Sequence, residues 1–100
     1  MTLIIKDTSS TTAGVNTQIS TTGDRLYVLD GVLLASTGGY GISISSSADD
    51  VTTRIDGTVV ANGVAIITNG ARTILNIGET GVVTSFNASS AAGGVDLPWP

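Results

Sequence analysis

The chain has 100 residues, enough for one domain, and its charged residues make up 12% of the sequence, about half the usual share. The net charge is −4 and the four basic residues are scattered, which argues against a nucleic-acid partner, since such proteins cluster their basic side chains. There is no cysteine and no histidine, which excludes disulfides, Cys/His zinc sites and histidine-based catalytic triads.

The chain opens with a short apolar run, Leu3–Ile5, that is followed at once by Lys6 and Asp7. This run is too short to be the apolar region of a secretory signal peptide. No other apolar run approaches the roughly 18 residues that a membrane-spanning helix needs. We therefore expect neither an N-terminal signal peptide nor a membrane span.

A repeat follows, in three units that begin near Thr17, Ile42 and Val64. Each unit has three short apolar runs separated by Gly, Asn, Asp or Ser, a pattern typical of three strands and three turns. Aligning the units predicts which residues stack on one another, as follows: Ile19, Ile44 and Ile66; Leu26, Val51 and Thr73; Leu29, Ile55 and Ile77; Leu34, Val60 and Val83.

Apolar and polar residues alternate in the best of these runs, as in Ile42 to Ser45. One set of side chains faces inward, and stacking the units buries it between like neighbours. The sequence therefore predicts an all-β fold, a short right-handed parallel β-helix (solenoid) of about three coils with three strands per coil. A β-sandwich or open barrel is the alternative, although neither requires a whole-unit repeat. We expect one domain over residues 1–94, with the repeat core at 15–86.

The units Leu29–Ser36 and Ile55–Gly63 resemble the right-handed parallel β-helices of bacterial exported and surface proteins. These include pectate-lyase-like proteins, autotransporter passengers and relatives of haemolysin-type calcium-binding proteins. The resemblance implies a bacterial, secreted or cell-surface protein. It does not extend to calcium binding, because Gly38–Ile42 lacks the aspartate of the calcium-binding nonapeptide.

Three acidic residues, Asp30, Asp56 and Glu79, fall at similar places in the repeat. Stacking would bring their carboxylates together, and a calcium-type metal site is one interpretation. We favour the other, in which Asp-Gly forms turns at the corners. We accordingly predict no cofactor and no catalytic residue.

A second set of charged residues, Arg25, Asp50 and Arg72, precedes the second strand of each unit. We expect these side chains to form one column of alternating sign, which would support the register of the coils.

The last residues, 95–100, form a tail with two prolines, which exclude a central strand. Leu97 and Trp99 are the candidate interface residues, because tryptophan often anchors contacts between subunits. Folding of these residues over the open end of their own chain, and a frayed terminus, are equally weighted alternatives. A small core with open ends favours self-association. The predicted function is thus a non-enzymatic structural or self-assembling module that forms homo-oligomers. The alternative is a polysaccharide-binding module of the pectate-lyase-like type, and a small lyase or hydrolase is a third, less favoured interpretation.

Overall fold

The computed structural model describes residues 2–85 and 95–96, and these residues form strands and turns without a helix. The strands are β1 (Leu3–Lys6), β2 (Ser10–Thr12), β3 (Thr17–Ile19), β4 (Arg25–Val28), β5 (Leu33–Ser36), β6 (Ile42–Ile44), β7 (Thr52–Ile55), β8 (Thr58–Ala61), β9 (Ile66–Thr68), β10 (Ile74–Ile77), β11 (Val82–Ser85) and β12 (Val95–Asp96). The described part of the chain has no long apolar helix of the kind that crosses a lipid bilayer.

The strands assemble into three parallel sheets, each with one strand from every turn of the chain. Sheet A has the order β1-β4-β7-β10, sheet B β2-β5-β8-β11 and sheet C β3-β6-β9-β12. The predicted parallel β-solenoid of about three coils, with three strands per coil, is therefore confirmed. Its right hand stays a prediction, based on the strong preference of parallel crossovers for that hand.

We call the three strands of one circuit a layer, so that β1–β3 form the first layer and β10–β12 the last. Pairing between layers places side chains of the same orientation directly above one another. In sheet C, Ile19 lies opposite Ile44, and both are almost fully buried. The core consists mainly of Val, Ile, Leu and Ala, because such small branched side chains fill the narrow space between three sheets.

The register agrees with the predicted alignment at Ile19–Ile44 and at Ile55–Ile77. The same register extends to the predicted pair Val51–Thr73, where the N–H of Ile74 donates to the carbonyl of Val51 (2.9 Å). The other predicted pairs were wrong. Leu26 lies opposite Thr53, two residues beyond the expected Val51. The reason is the length of the corner. Residues 45–51 connect β6 to β7, whereas the shorter segment 20–24 connects β3 to β4.

Smaller differences occur where apolar residues are adjacent in the sequence. Leu34 lies opposite Val59 instead of Val60, and Ile55 pairs with Val28 instead of Leu29. In such runs both faces of the strand are apolar, so alternation does not reveal which residue points inward.

The two ends of the described chain also join the sheets. Leu3–Lys6 forms β1 and pairs in parallel with β4. Val95 and Asp96, at the start of the tail, form β12 and pair with β9 at the edge of sheet C. The edge position is compatible with the nearby prolines, since an edge strand has one unpaired side.

In the part of the chain that the structure describes, one buried polar side chain lacks a hydrogen-bond partner. Thr53 lies between Leu26 and Leu75 in sheet A and has no solvent exposure. Its hydroxyl has no hydrogen-bond partner. By contrast, the buried Thr68 hydroxyl lies 2.9 Å from the hydroxyl of Thr73. Burial of an unpaired hydroxyl costs free energy, so Thr53 is a local weakness of the core.

We predict that Thr53→Val stabilises the protein by about 1 kcal/mol, because the isosteric methyl group replaces an unpaired hydroxyl. The matched control, Thr68→Val, should destabilise it by about 1 kcal/mol, because a formed hydrogen bond is lost. Urea denaturation followed by circular dichroism measures both changes. Destabilisation by Thr53→Val of the same size as by Thr68→Val would show that the Thr53 hydroxyl has a partner.

Candidate functional site

The three acidic residues of the less favoured metal-site interpretation do not form one cluster. The N–H of Asp56 donates to the carbonyl of Val28 (2.9 Å), which sets Asp56 beside Leu29 instead of Asp30. Glu79 lies in an exposed turn after β10. Among the residues that the structure describes, no group of three or more His, Cys, Asp or Glu side chains could hold a metal ion.

Asp56 instead belongs to a polar cluster at the corner where β7 ends. Its Oδ2 accepts a hydrogen bond from the hydroxyl of Tyr27 (2.7 Å) and one from Nε of Arg54 (3.0 Å). Tyr27 and Arg54 are neighbours on the outer face of sheet A, because β4 and β7 pair in register there. The carboxylate thus links two successive layers.

The hydrogen bonds of this cluster shift the pKa values of Asp56 and Tyr27 in opposite directions. The hydrogen bond from Arg54, helped by the one from Tyr27, lowers the pKa of Asp56 below its ordinary value of 3.8. The hydrogen bond to the Asp56 carboxylate raises the pKa of Tyr27 above 10.0, since loss of the phenolic proton would place two negative charges together. A carboxylate held in this way is poorly suited to proton transfer near neutral pH.

A second ion pair joins layers at the corner before sheet A. Nε and Nη2 of Arg72 donate to the two carboxylate oxygens of Asp50, at 2.7 and 3.1 Å. The expected stacking of Asp50 and Arg72 is confirmed. Arg25 does not belong to this column, because the N–H of Gly23 donates to the carbonyl of Asp49 and thereby aligns Gly23 with Asp50.

The backbone at this corner explains the misplacement of Arg25. Gly23, Asp50 and Arg72 have φ angles of 80°, 56° and 55°, all in the left-handed region. One left-handed residue is thus required at each turn of this corner, and glycine adopts it most easily. Asp50 and Arg72 adopt it as non-glycine residues and form the ion pair there. The positions of charged residues in the sequence therefore did not show that Gly23, and not Arg25, stacks with Asp50 and Arg72.

The solenoid ends in two free edges. We call the outer side of β1, β2 and β3 the N-terminal edge, and the outer side of β10, β11 and β12 the C-terminal edge. No further strand within residues 2–85 and 95–96 pairs with either edge. Unpaired backbone groups along an edge strand are a template for another strand.

Two of the core columns end in polar residues at the N-terminal edge. Lys6 lies opposite Val28, and Ser10 lies opposite Leu34, although both partners are fully buried. A lysine directed toward the core at an edge disfavours indiscriminate strand addition. Outside the core, however, Leu3 is 59% exposed and Ile5 is 51% exposed on the same edge strand.

The C-terminal edge is more apolar. Ile77 continues the column of Val28 and Ile55, yet it is 48% exposed, while those two residues are fully buried. Ile74 and Val82 are exposed to a similar degree. The signal for this surface was present in the sequence as apolar residues in the last repeat unit, which were assigned to the core. The predicted interface residues Leu97 and Trp99 lie outside the described residues.

Comparison with known proteins gives no relative. No family model matches the chain, and no curated protein or solved structure has significant similarity to it. The resemblance to pectate-lyase-like and autotransporter β-helices therefore stays a prediction, and the likeness that the structure supports is one of architecture.

We predict that the two ion pairs make folding stability fall in acid. The pKa values of Asp50 and Asp56 are lower in the folded protein than their ordinary 3.8, so their contribution is present above that pH and is lost as the pH falls below it. Asp56→Asn should destabilise the protein at neutral pH, and its difference from the wild type should shrink below about pH 4. Thermal denaturation from pH 7 to pH 2 measures this difference.

The matched control is Asp30→Asn, which removes one carboxylate outside the cluster and should lower stability at neutral pH less than Asp56→Asn does. A difference between the wild type and Asp56→Asn that stays constant from pH 7 to pH 2 would contradict a stabilising role for the Asp56 carboxylate.

Proposed function

We propose that this protein is a non-enzymatic structural module that assembles into homo-oligomers. The observation that supports the proposal most directly is the exposure of large apolar side chains on the outermost strands of sheet A, namely Leu3, Ile5, Ile74 and Ile77. Contact of these edges with another copy would remove that surface from water and would pair the free backbone groups.

The size of the chain also favours assembly. A domain of this length buries a smaller share of its surface than a large protein does, so additional burial between copies adds substantially to its stability. A stack of layers has no inherent end, because each layer presents the same kind of edge as the one before it. Self-association is the simplest way for such a chain to cover both edges.

Several features support a function without catalysis. The chain has no histidine or cysteine, and Asp56 is already bound by Arg54 and Tyr27. A serine nucleophile would lack a histidine base, and Lys6, the only lysine, lies at the N-terminal edge. The origin of the protein in bacteria and its place outside the cell or on the cell surface remain expectations from the resemblance in sequence.

One surface favours the alternative, a polysaccharide-binding module. The outer face of sheet A carries Tyr27 with Arg25 and Arg54 around it. An aromatic ring beside hydrogen-bonding side chains is an arrangement that can hold a sugar. On this alternative, Tyr27→Ala should abolish a signal on a glycan array without changing the mass of the protein in solution.

We predict that the solution mass rises with concentration over a hundredfold range, as measured by light scattering from the monomer mass of 10.0 kDa upward. The reason is that association is driven by concentration when the edges of separate copies bury one another. A monomer at every concentration would contradict the proposal and would favour the polysaccharide-binding alternative.

The part played by the tail can be separated from that of the edges. Deleting residues 97–100 retains β12 and its pairing with β9. If Trp99 anchors the oligomer, then both this deletion and Trp99→Ala should lower the mass, whereas the neighbouring Pro98→Ala should not. An unchanged mass in all three variants would remove Leu97 and Trp99 from the interface.

A further inference from the structure

We propose that copies of this chain stack head to tail, with the C-terminal edge of one copy pairing with the N-terminal edge of the next. In this arrangement β10 lies parallel to β1 of the next copy, and the three sheets continue across the join. The inference rests on the proposed self-assembly and specifies the two surfaces that meet and the register in which they do so.

The pairing register within the chain defines what such a join would contain. Sheet A holds one outward column that begins with Leu3, passes through Arg25 and Thr52, and ends at Ile74. A second copy stacked in the same register continues this column, so that Ile74 of one copy contacts Leu3 of the next. These two side chains are 54% and 59% exposed, and each would cover the other.

The inward pairs at the join would be of kinds that the chain already forms. Within one copy, Ile4 lies opposite Leu26 and Lys6 lies opposite Val28. The same two residues of a second copy would meet Leu75 and Ile77 of the last layer. At these two positions the last layer has Leu75 and Ile77, and the second layer has Leu26 and Val28. In both layers a leucine and a β-branched residue would therefore face the first layer.

The same correspondence holds in sheet B. Ser10 lies opposite the buried Leu34 within the chain, and in the join it would meet Val83, which is the residue paired with Val59. The first layer pairs with the second layer on one side, and on its other side it would meet the last layer, whose residues at these positions are similar.

The strands that would meet in sheet A bring no like charges together. Lys6 is the charged residue of β1, and in the join it would lie opposite Ile77. The exposed Glu79 follows Ile77 by two residues in the chain. The strand β10 carries no charge, so no like charges stack between β10 and β1. Because the two surfaces are different, this contact is heterologous, and copies add in a line instead of closing into a symmetric dimer.

A mixing experiment with two edge variants tests the inference. Leu3→Lys blocks the N-terminal edge and leaves the C-terminal edge intact, while Ile74→Lys does the reverse. At a concentration where the wild type assembles, each variant alone should have the monomer mass of 10.0 kDa by light scattering. An equal mixture should form a species of about twice that mass and grow no further, because one intact join is available per pair.

The matched control is Thr52→Lys, which lies in the same outward column on an interior strand and should assemble as the wild type does. Circular dichroism verifies that each variant keeps its strands. If the wild type assembles but the mixture stays at the monomer mass, or if both edge variants assemble alone, the head-to-tail join is wrong while the self-assembly proposal stands. A wild type that is monomeric throughout overturns both.

A covalent test covers the case in which a lysine at an edge unfolds the chain. The protein has no cysteine, so introduced thiols react only with each other. Ile5 and Asn76 end the other outward column of sheet A, and opposite residues of adjacent layers lie about 4.8 Å apart, within disulfide range. The double variant Ile5→Cys, Asn76→Cys should form a ladder of linked chains on oxidation, and Ile5→Cys, Arg54→Cys should not form one. Absence of a ladder in the first variant would overturn the proposed register.

Discussion

Parallel pairing between consecutive layers is the constraint on which the rest of this structure depends. Each strand pairs with the strand of the same sheet in the adjacent layer, so a residue such as Val28 packs against Ile55 of the next layer. The pairing satisfies backbone groups and fixes the side-chain columns at the same time. A change in the length of one corner therefore shifts a whole set of contacts, as residues 45–51 show.

The corners carry most of the polar structure. Asp56 links Tyr27 and Arg54 across two layers, and Asp50 binds Arg72 one turn later in the chain. Exposed ion pairs contribute little free energy individually, so we interpret these contacts mainly as devices that favour one register over its neighbours. This function suits a fold whose apolar strands, composed of similar residues, could otherwise slide along one another.

Layered pairing also explains why the two ends of the molecule matter for function. Interior layers are covered on both sides, whereas the first and last layers each have one edge with which no strand of residues 2–85 and 95–96 pairs. The N-terminal edge directs Lys6 and Ser10 toward the core columns, and the C-terminal edge directs Ile77 there. The two edges are thus different surfaces of one chain, which is why assembly through them is directional in our proposal.

The sequence by itself determined the class of fold, because a repeat of short alternating apolar runs has few other ways to bury its apolar face. It also revealed the stacking of Asp50 on Arg72, through their matching places before a strand. Only the tertiary structure decided the register at Thr53, the exclusion of Arg25 from the charged column, and the separation of Asp30 from Asp56. The physical reason is that corner length and left-handed backbone geometry set these alignments, and neither is encoded in the apolar pattern of the strands.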